Sequence, residues 1–285
     1  MRNISRHPIQ LQNAELQIDV MEAKVKDLAD RIEQVPRLFY KIAERALMVA
    51  GYRSALDGKA QEQVTFDAFS LASQAHTALF ELAFSGLASV RLEIDGYRTL
   101  PVSDIPRRRA TSAEWMNAMW LATICRDEQR LRFLCDIPSD WLHASEDYAT
   151  DSYVQAWVDA LQSYWNRKAN FLDNLESAIR MTAPEELKYN LPYGLRIAFP
   201  AMELMYHESQ NDEDAFNVCL ESSLALHKEY WTSSDDISID PFGYVALPLL
   251  ALASIASDRG MRVDVTSDYI PAGLVEGRRL GRGAE

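Results

Sequence analysis

The sequence predicts an all-α protein, built of antiparallel helical hairpins in a repeat-like or bundle arrangement, with one short extended piece near the C-terminus. Three observations carry that prediction. Apolar residues recur at helical spacing along most of the chain, capping residues stand ahead of several of those runs, and alternating strand-like runs are almost absent. With 285 residues, 48% of them apolar, the chain has enough material for one large core or two modest ones.

The elements follow in order. Ile18, Met21, Val25, Leu28 and Ile32 fall on one stripe of a helix from about Leu11 to just before Pro36. That stripe needs a partner: the next helix, near Pro36 to Leu56, folded back as a hairpin, or the same helix of a second copy in a homodimer. A third helix is expected over 61–92, with Phe66, Phe69, Leu79, Phe80, Leu82 and Phe84 as core bulk and a bend at Gly86. Asp95-Gly96 and the stretch Leu100 to Arg109, with Pro101 and Pro106, break the pattern as a loop. The loop divides an N-terminal helical subdomain, residues 1–109, from a helical domain, 110–275, followed by a flexible tail, 276–285.

Past that point Thr111 precedes Glu114 by three residues, Thr182 precedes Glu185 by three with Pro184 between, and Asp240 precedes Pro241; each reads as a helix start. The helices expected are 115–135, 153–165, 167–181, 192–207 and 212–229. Arg262 to Val265 alternates charged and apolar residues as a lone strand or an irregular tail would. Leu121 to Asp127 matches Leu252 to Asp258 in pattern, which suggests repeated hairpins.

Charge narrows the partners. The net charge is −13, and residues 136–268 alone hold 23 acidic against 8 basic residues. A field of that sign repels nucleic-acid phosphates and attracts a basic protein surface. The first twenty residues carry charges and lack a cleavable apolar core, so a cytoplasmic protein is expected. The longest uncharged run, Phe242 to Ser257, contains Pro248 and is short for the roughly 18 residues of a membrane span, so it reads as a buried helix. Cys125, Cys135 and Cys219 have neither disulfide-framework nor zinc spacing and read as buried apolar residues.

Catalytic patterns are missing. None of the five histidines stands in a metal-binding motif, and there is no nucleophile elbow, Walker loop or dinucleotide fingerprint. Glu203 and His207 share a helix face at i,i+4, and Asp235, Asp236 and Asp240 cluster near Ser233, Ser234 and Pro241, where a helix cap is a better reading than a metal site. Neither implies a cofactor. The basic run Arg107 to Arg109 and the tail arginines Arg278, Arg279 and Arg282 read as a solvated loop and terminus. An all-α enzyme would need the aspartates or the Glu203–His207 pair to line a deep apolar pocket.

Phe216-Asn217, Leu220, Leu224, His227-Lys228, Tyr230-Trp231, Pro241, Gly243, Ala246-Leu247, Asp258, Gly260 and Ser267-Asp268-Tyr269-Ile270-Pro271 carry a pattern that resembles the immunity protein 49 family of bacterial toxin-immunity systems. Trp115, Trp120, Leu121, Ala122, Arg126-Asp127, Trp157, Ala160, Leu161 and Tyr164 extend the resemblance over about 112–274. It implies an immunity protein that binds and neutralises a cognate toxin acting in the cytosol, with no active site of its own. On that reading Trp115, Asp127, His227, Lys228, Tyr230, Trp231, Asp268 and Tyr269 are structural signature residues. The acidic turns Asp212-Glu213-Asp214 and Asp235, Asp236, Asp240 are the expected partner-binding residues. A helical-repeat adaptor with a regulatory role is the alternative for the same fold.

Overall fold

The computed structural model describes residues 2–35, 38–94, 96–102, 104–144 and 150–277, with backbone only at 104–106. Pro36, Asp95, the Pro106 side chain and the expected arginine tail lie outside the described residues. The chain is mostly helical with two small two-stranded sheets, and it divides into two compact units. Among the described residues one unit takes 9–144, and the other takes 2–8 together with 150–277. The loop expected to separate domains at 100–109 lies within the first unit.

In that unit α1 (Leu11–Arg31) packs on α2 (Tyr40–Leu56), which packs on α3 (Gln63–Phe84). Ile18, Val25, Leu28 and Ile32 are buried as the stripe requires, so α2 supplies the partner helix. The structure corrects the third helix. It ends at Phe84, and the chain turns into a hairpin of β2 (Ser89–Glu93) and β3 (Tyr97–Pro101). Gly86 stands between α3 and β2, and Gly96 at φ +98° makes the hairpin turn, a conformation glycine adopts without a Cβ penalty. Leu92 and Leu100 face inward from the two strands while the other strand residues are exposed or half-buried, so the segment read as a loop is a surface ribbon anchored by two leucines, followed by α4 (Asp104–Arg109).

The long helix expected over 115–135 is two helices, α5 (Ser112–Ile124) and α6 (Glu128–Asp136), followed by α7 (Ser139–His143). Thr111 caps α5 as predicted, accepting from the Glu114 amide. Arg126 at φ +53° breaks the run, and Asp127 then caps α6 by accepting from the Arg130 amide. Trp115 is fully buried with its indole donating to the Leu134 carbonyl at 2.9 Å. Arg107, read from sequence as solvated, lies over the Trp141 ring at 3.5 Å and donates to the Trp141 carbonyl.

The second unit holds α8 (Tyr153–Trp165), α9 (Phe171–Arg180), α10 (Leu191–Tyr193), a π-helical turn at Gly194–Ala198, α11 (Phe199–Ser209) and α12 (Glu213–Trp231). It closes with α13 (Asp235–Ser238), a 3-10 turn at Pro241–Gly243, α14 (Leu247–Asp258), β4 (Val265–Thr266) and α15 (Ala272–Val275). Thr182 caps no helix here: its hydroxyl donates back to Ile179, and residues 182–190 form turns. Buried Asp151 organises that stretch by accepting from the amides of Lys188, Tyr189 and Asn190. The apolar run Pro241–Asp258 has the length and composition of a membrane span but is 78% buried and interrupted between the 3-10 turn and α14. The extended piece is β4, paired in parallel with β1 (Arg2–Asn3) from the other end of the chain.

The matched heptads 121–127 and 252–258 are not structural counterparts. Asp127 follows a left-handed residue and opens α6, whereas Asp258 is the last residue of α14, two before left-handed Gly260. The recurring device is Arg126-Asp127-Glu128 and Asn211-Asp212-Glu213, each a left-handed residue, a capping aspartate and a first-turn glutamate.

Candidate functional site

α12 organises the candidate surface, and its two sides do different work. The inward side carries most of the sequence signature. Phe216 and Leu220 are fully buried. Asn217 donates to the carbonyls of Glu213 and Arg262 and accepts from the Asp264 amide at 2.6 Å, which pins the approach to β4. His227 is buried, and its Nε2 donates to the Gly243 carbonyl at 3.0 Å. Burial pushes its pKa down to about 4, with nearby His7 and Arg6 adding to the shift against the Gly243 carbonyl. The Tyr269 ring meets His227 edge-on at 4.8 Å, and Trp231 lies over Gly243, whose missing Cβ leaves room for the indole. Trp231 itself is half-buried, with Tyr230 against it at 5.3 Å and Tyr193 beyond at 5.8 Å.

A second buried centre was not legible in the sequence. Glu208, fully buried on α11, accepts from the Tyr164 hydroxyl at 2.9 Å and pairs with Arg259 at 2.7 Å. Burial holds the Glu208 carboxyl above the usual carboxylate range, against the pull of the hydroxyl and the guanidinium. Nothing local marks such a group, because its partners lie 44 and 51 residues away.

The outward side of α12 exposes Asp214, Val218, Ser222, Ala225 and Glu229 at helical spacing. Between it and α11 runs an open groove of about 360 Å³ lined by Glu203, His207, Asp214, Ala215, Val218, Cys219 and Ser222. No lysine or arginine lines it. Glu203 and His207 do share a face, as their spacing predicts, and Tyr206 at the rim sets its ring against His207 at 5.6 Å. The groove is shallow rather than a deep apolar pocket. Cys219 beneath it is buried, with its thiol pKa pushed up to about 12 by that burial, so it stays protonated near neutrality.

The acidic turns are differently placed from the exposed loops expected. Asp212 is the N-cap of α12 and accepts from the Ala215 amide; Glu213 accepts from the Arg262 amide and pairs with its guanidinium. Asp212 and Asp214 are exposed and Glu213 is half-buried. Asp235 and Asp236 are exposed in the first turn of α13, capped by Ser234, and Asp240 caps the following 3-10 turn through the Phe242 amide. The two groups therefore flank opposite ends of α12, whose 19 residues span about 28 Å. Among the described residues no group of three or more His, Cys, Asp or Glu side chains is placed to hold a metal ion.

A family profile described as Immunity protein 49 matches residues 32–274, most of the chain. The chain belongs to the immunity protein 49 family. No curated protein and no solved structure matches it. Within this family member the signature residues make internal contacts: Trp115 bonds to Leu134 and Asp127 caps α6, while His227 bonds to Gly243 and Tyr230 packs on Trp231 at the end of α12. Lys228 and Asp268 reach further, to the N-terminal segment. The Lys228 ammonium donates to the Ser5 carbonyl at 3.0 Å, and the Asp268 carbonyl accepts from Arg6.

Proposed function

We propose that this immunity protein 49 member binds and neutralises a cognate toxin in the cytosol, and that the outward side of α12 with its acidic ends is the surface that meets it. The observation that carries this reading is the composition of that surface. Carboxylates stand at both ends of a smooth helical face whose middle is Val218, Ser222 and Ala225, and the adjoining groove is lined by no lysine or arginine. Small side chains allow close approach of a partner, and the carboxylates favour a basic one. Toxins that cleave nucleic acid carry cationic substrate grooves, and an acidic helix face can fill such a groove in place of the phosphate backbone. No chemistry on the immunity protein's side is needed.

The experiment is co-expression. The neighbouring open reading frame is placed under an inducible promoter with and without this gene. Killing only when the immunity gene is absent supports the reading; killing in both cases, or in neither, overturns it.

A further inference from the structure

Residues 2–8 lie outside the span that matches the family, yet they belong to the second unit, and the residues they touch there lie more than two hundred positions away in sequence. They are held along a line of contacts. Arg2 pairs with Glu221 on α12, β1 pairs with β4, the Ile4 amide donates to Thr266, and Lys228 holds the Ser5 carbonyl. Arg6 donates to the Asp268 carbonyl. The line ends on His7, which is buried. Its Nε2 lies 3.0 Å from the Ser238 carbonyl, which can only accept, so Nε2 carries the proton; Nδ1, 2.7 Å from the Tyr269 hydroxyl, then accepts from it. The same hydroxyl oxygen accepts from the His7 amide.

We propose that residues 2–8 are a strap fastened to the second unit by the neutral form of His7, and that mild acid releases the strap ahead of the rest of the unit. A second proton on Nδ1 would leave the buried Tyr269 hydroxyl hydrogen without its acceptor and would add charge beside Arg6 and Lys228. The other groups around the ring are Tyr244, Tyr269 and neutral His227, with Asp268 held toward Arg6. Burial and the two cations keep the His7 pKa below its ordinary value. A histidine held neutral in the docked state and free to protonate when released favours docking above about pH 6.5, and docking weakens as pH falls below that. One proton weakens it by at most about tenfold per pH unit.

The test is amide hydrogen exchange of the full chain at pH 7.5 and 5.5, with protection corrected for the intrinsic rate at each pH. The expected result is a several-fold loss of protection at the Ile4 and His7 amides, while amides of α14 keep theirs. His7→Gln, which can still donate to Ser238 but does not titrate, should abolish that pH dependence. Unchanged protection in the wild type, a parallel loss in α14, or the same loss in His7→Gln would each overturn the proposal. Should the Gln variant fail to dock at either pH, the wild-type His7 ring titrated by nitrogen NMR decides instead: a pKa below 6.5 supports the strap, and one at or above 6.5 overturns it.

Discussion

Gly243 joins two signature residues one helical turn apart: its carbonyl accepts from His227, and a Cβ at its Cα would overlap the Trp231 indole. Gly243→Ala should therefore destabilise by about 1 to 3 kcal/mol, the range for overpacking, because the half-buried indole has solvent to move toward. Urea unfolding of the variant checks it. The same half-burial puts Trp231→Ala below the roughly 3 to 5 kcal/mol expected of a fully buried ring. His227 carries a pH prediction. Its pKa is about 4 when folded and about 6.5 when unfolded, so its contribution is complete above pH 6.5 and is lost as pH falls toward 4. That window is worth roughly 3 kcal/mol. Stability measured at pH 7 and 4.5 should drop less in His227→Gln than in the wild type; equal drops would assign the acid sensitivity elsewhere. The sequence singled out both His227 and Trp231, through the family pattern. It gave no hint of His7, Asp151 or Glu208, whose roles depend on partners 262, 37 and 44 residues distant.

Among the elements, some helix starts were legible from capping residues, and helix ends were not. Thr111 and Asp240 cap where the sequence suggests, whereas Thr182, read the same way, caps no helix, and Asp212, read as part of an acidic loop, proves to be a cap. The break between α5 and α6 passed unseen because the left-handed residue is Arg126, and sequence reading looks for glycine or asparagine there. The β2–β3 hairpin was missed for a related reason: its strands are five residues each, too short for alternation to outweigh the prolines and arginines nearby. Asp127 and Asp212 close the same turn twice, with the bonds Asp127 to Ala122 at 2.9 Å and Asp212 to His207 at 3.1 Å. Replacing either by alanine should cost about 1 kcal/mol, while asparagine, an equal cap, should leave stability nearly unchanged. Thermal melts of the four variants test this, and an equal loss for asparagine and alanine would mean that charge, rather than capping, stabilises these turns.

For the whole molecule, the helical class and the family were readable from the chain, whereas the layout of the acidic surface needed the structure. The turns Asp212-Glu213-Asp214 and Asp235, Asp236, Asp240 read in sequence as neighbouring exposed loops, but three of the six are caps or ion-paired, and the groups stand about 28 Å apart along α12. A charge test on this surface must therefore spare Asp212, Glu213 and Asp240. Asp214 and Asp236 are the exposed choices at either end, and asparagine removes their charge with little change in shape. If the α12 face meets a basic toxin, the double variant Asp214→Asn, Asp236→Asn should associate several-fold more slowly at low ionic strength. The difference should fade as salt rises, because screening beyond about 10 Å at 0.1 M removes long-range attraction from both proteins. Dissociation should change less, since rim charges steer encounter more than they hold a complex. Val218→Arg, placed at the exposed middle of the same face, should instead speed dissociation by obstructing close approach. Stopped-flow association at two salt concentrations separates the two effects. Unchanged rates in both variants, with melting curves like the wild type's, would remove α12 from the interface and direct the search to the first unit, where Leu16 and Tyr97 are exposed.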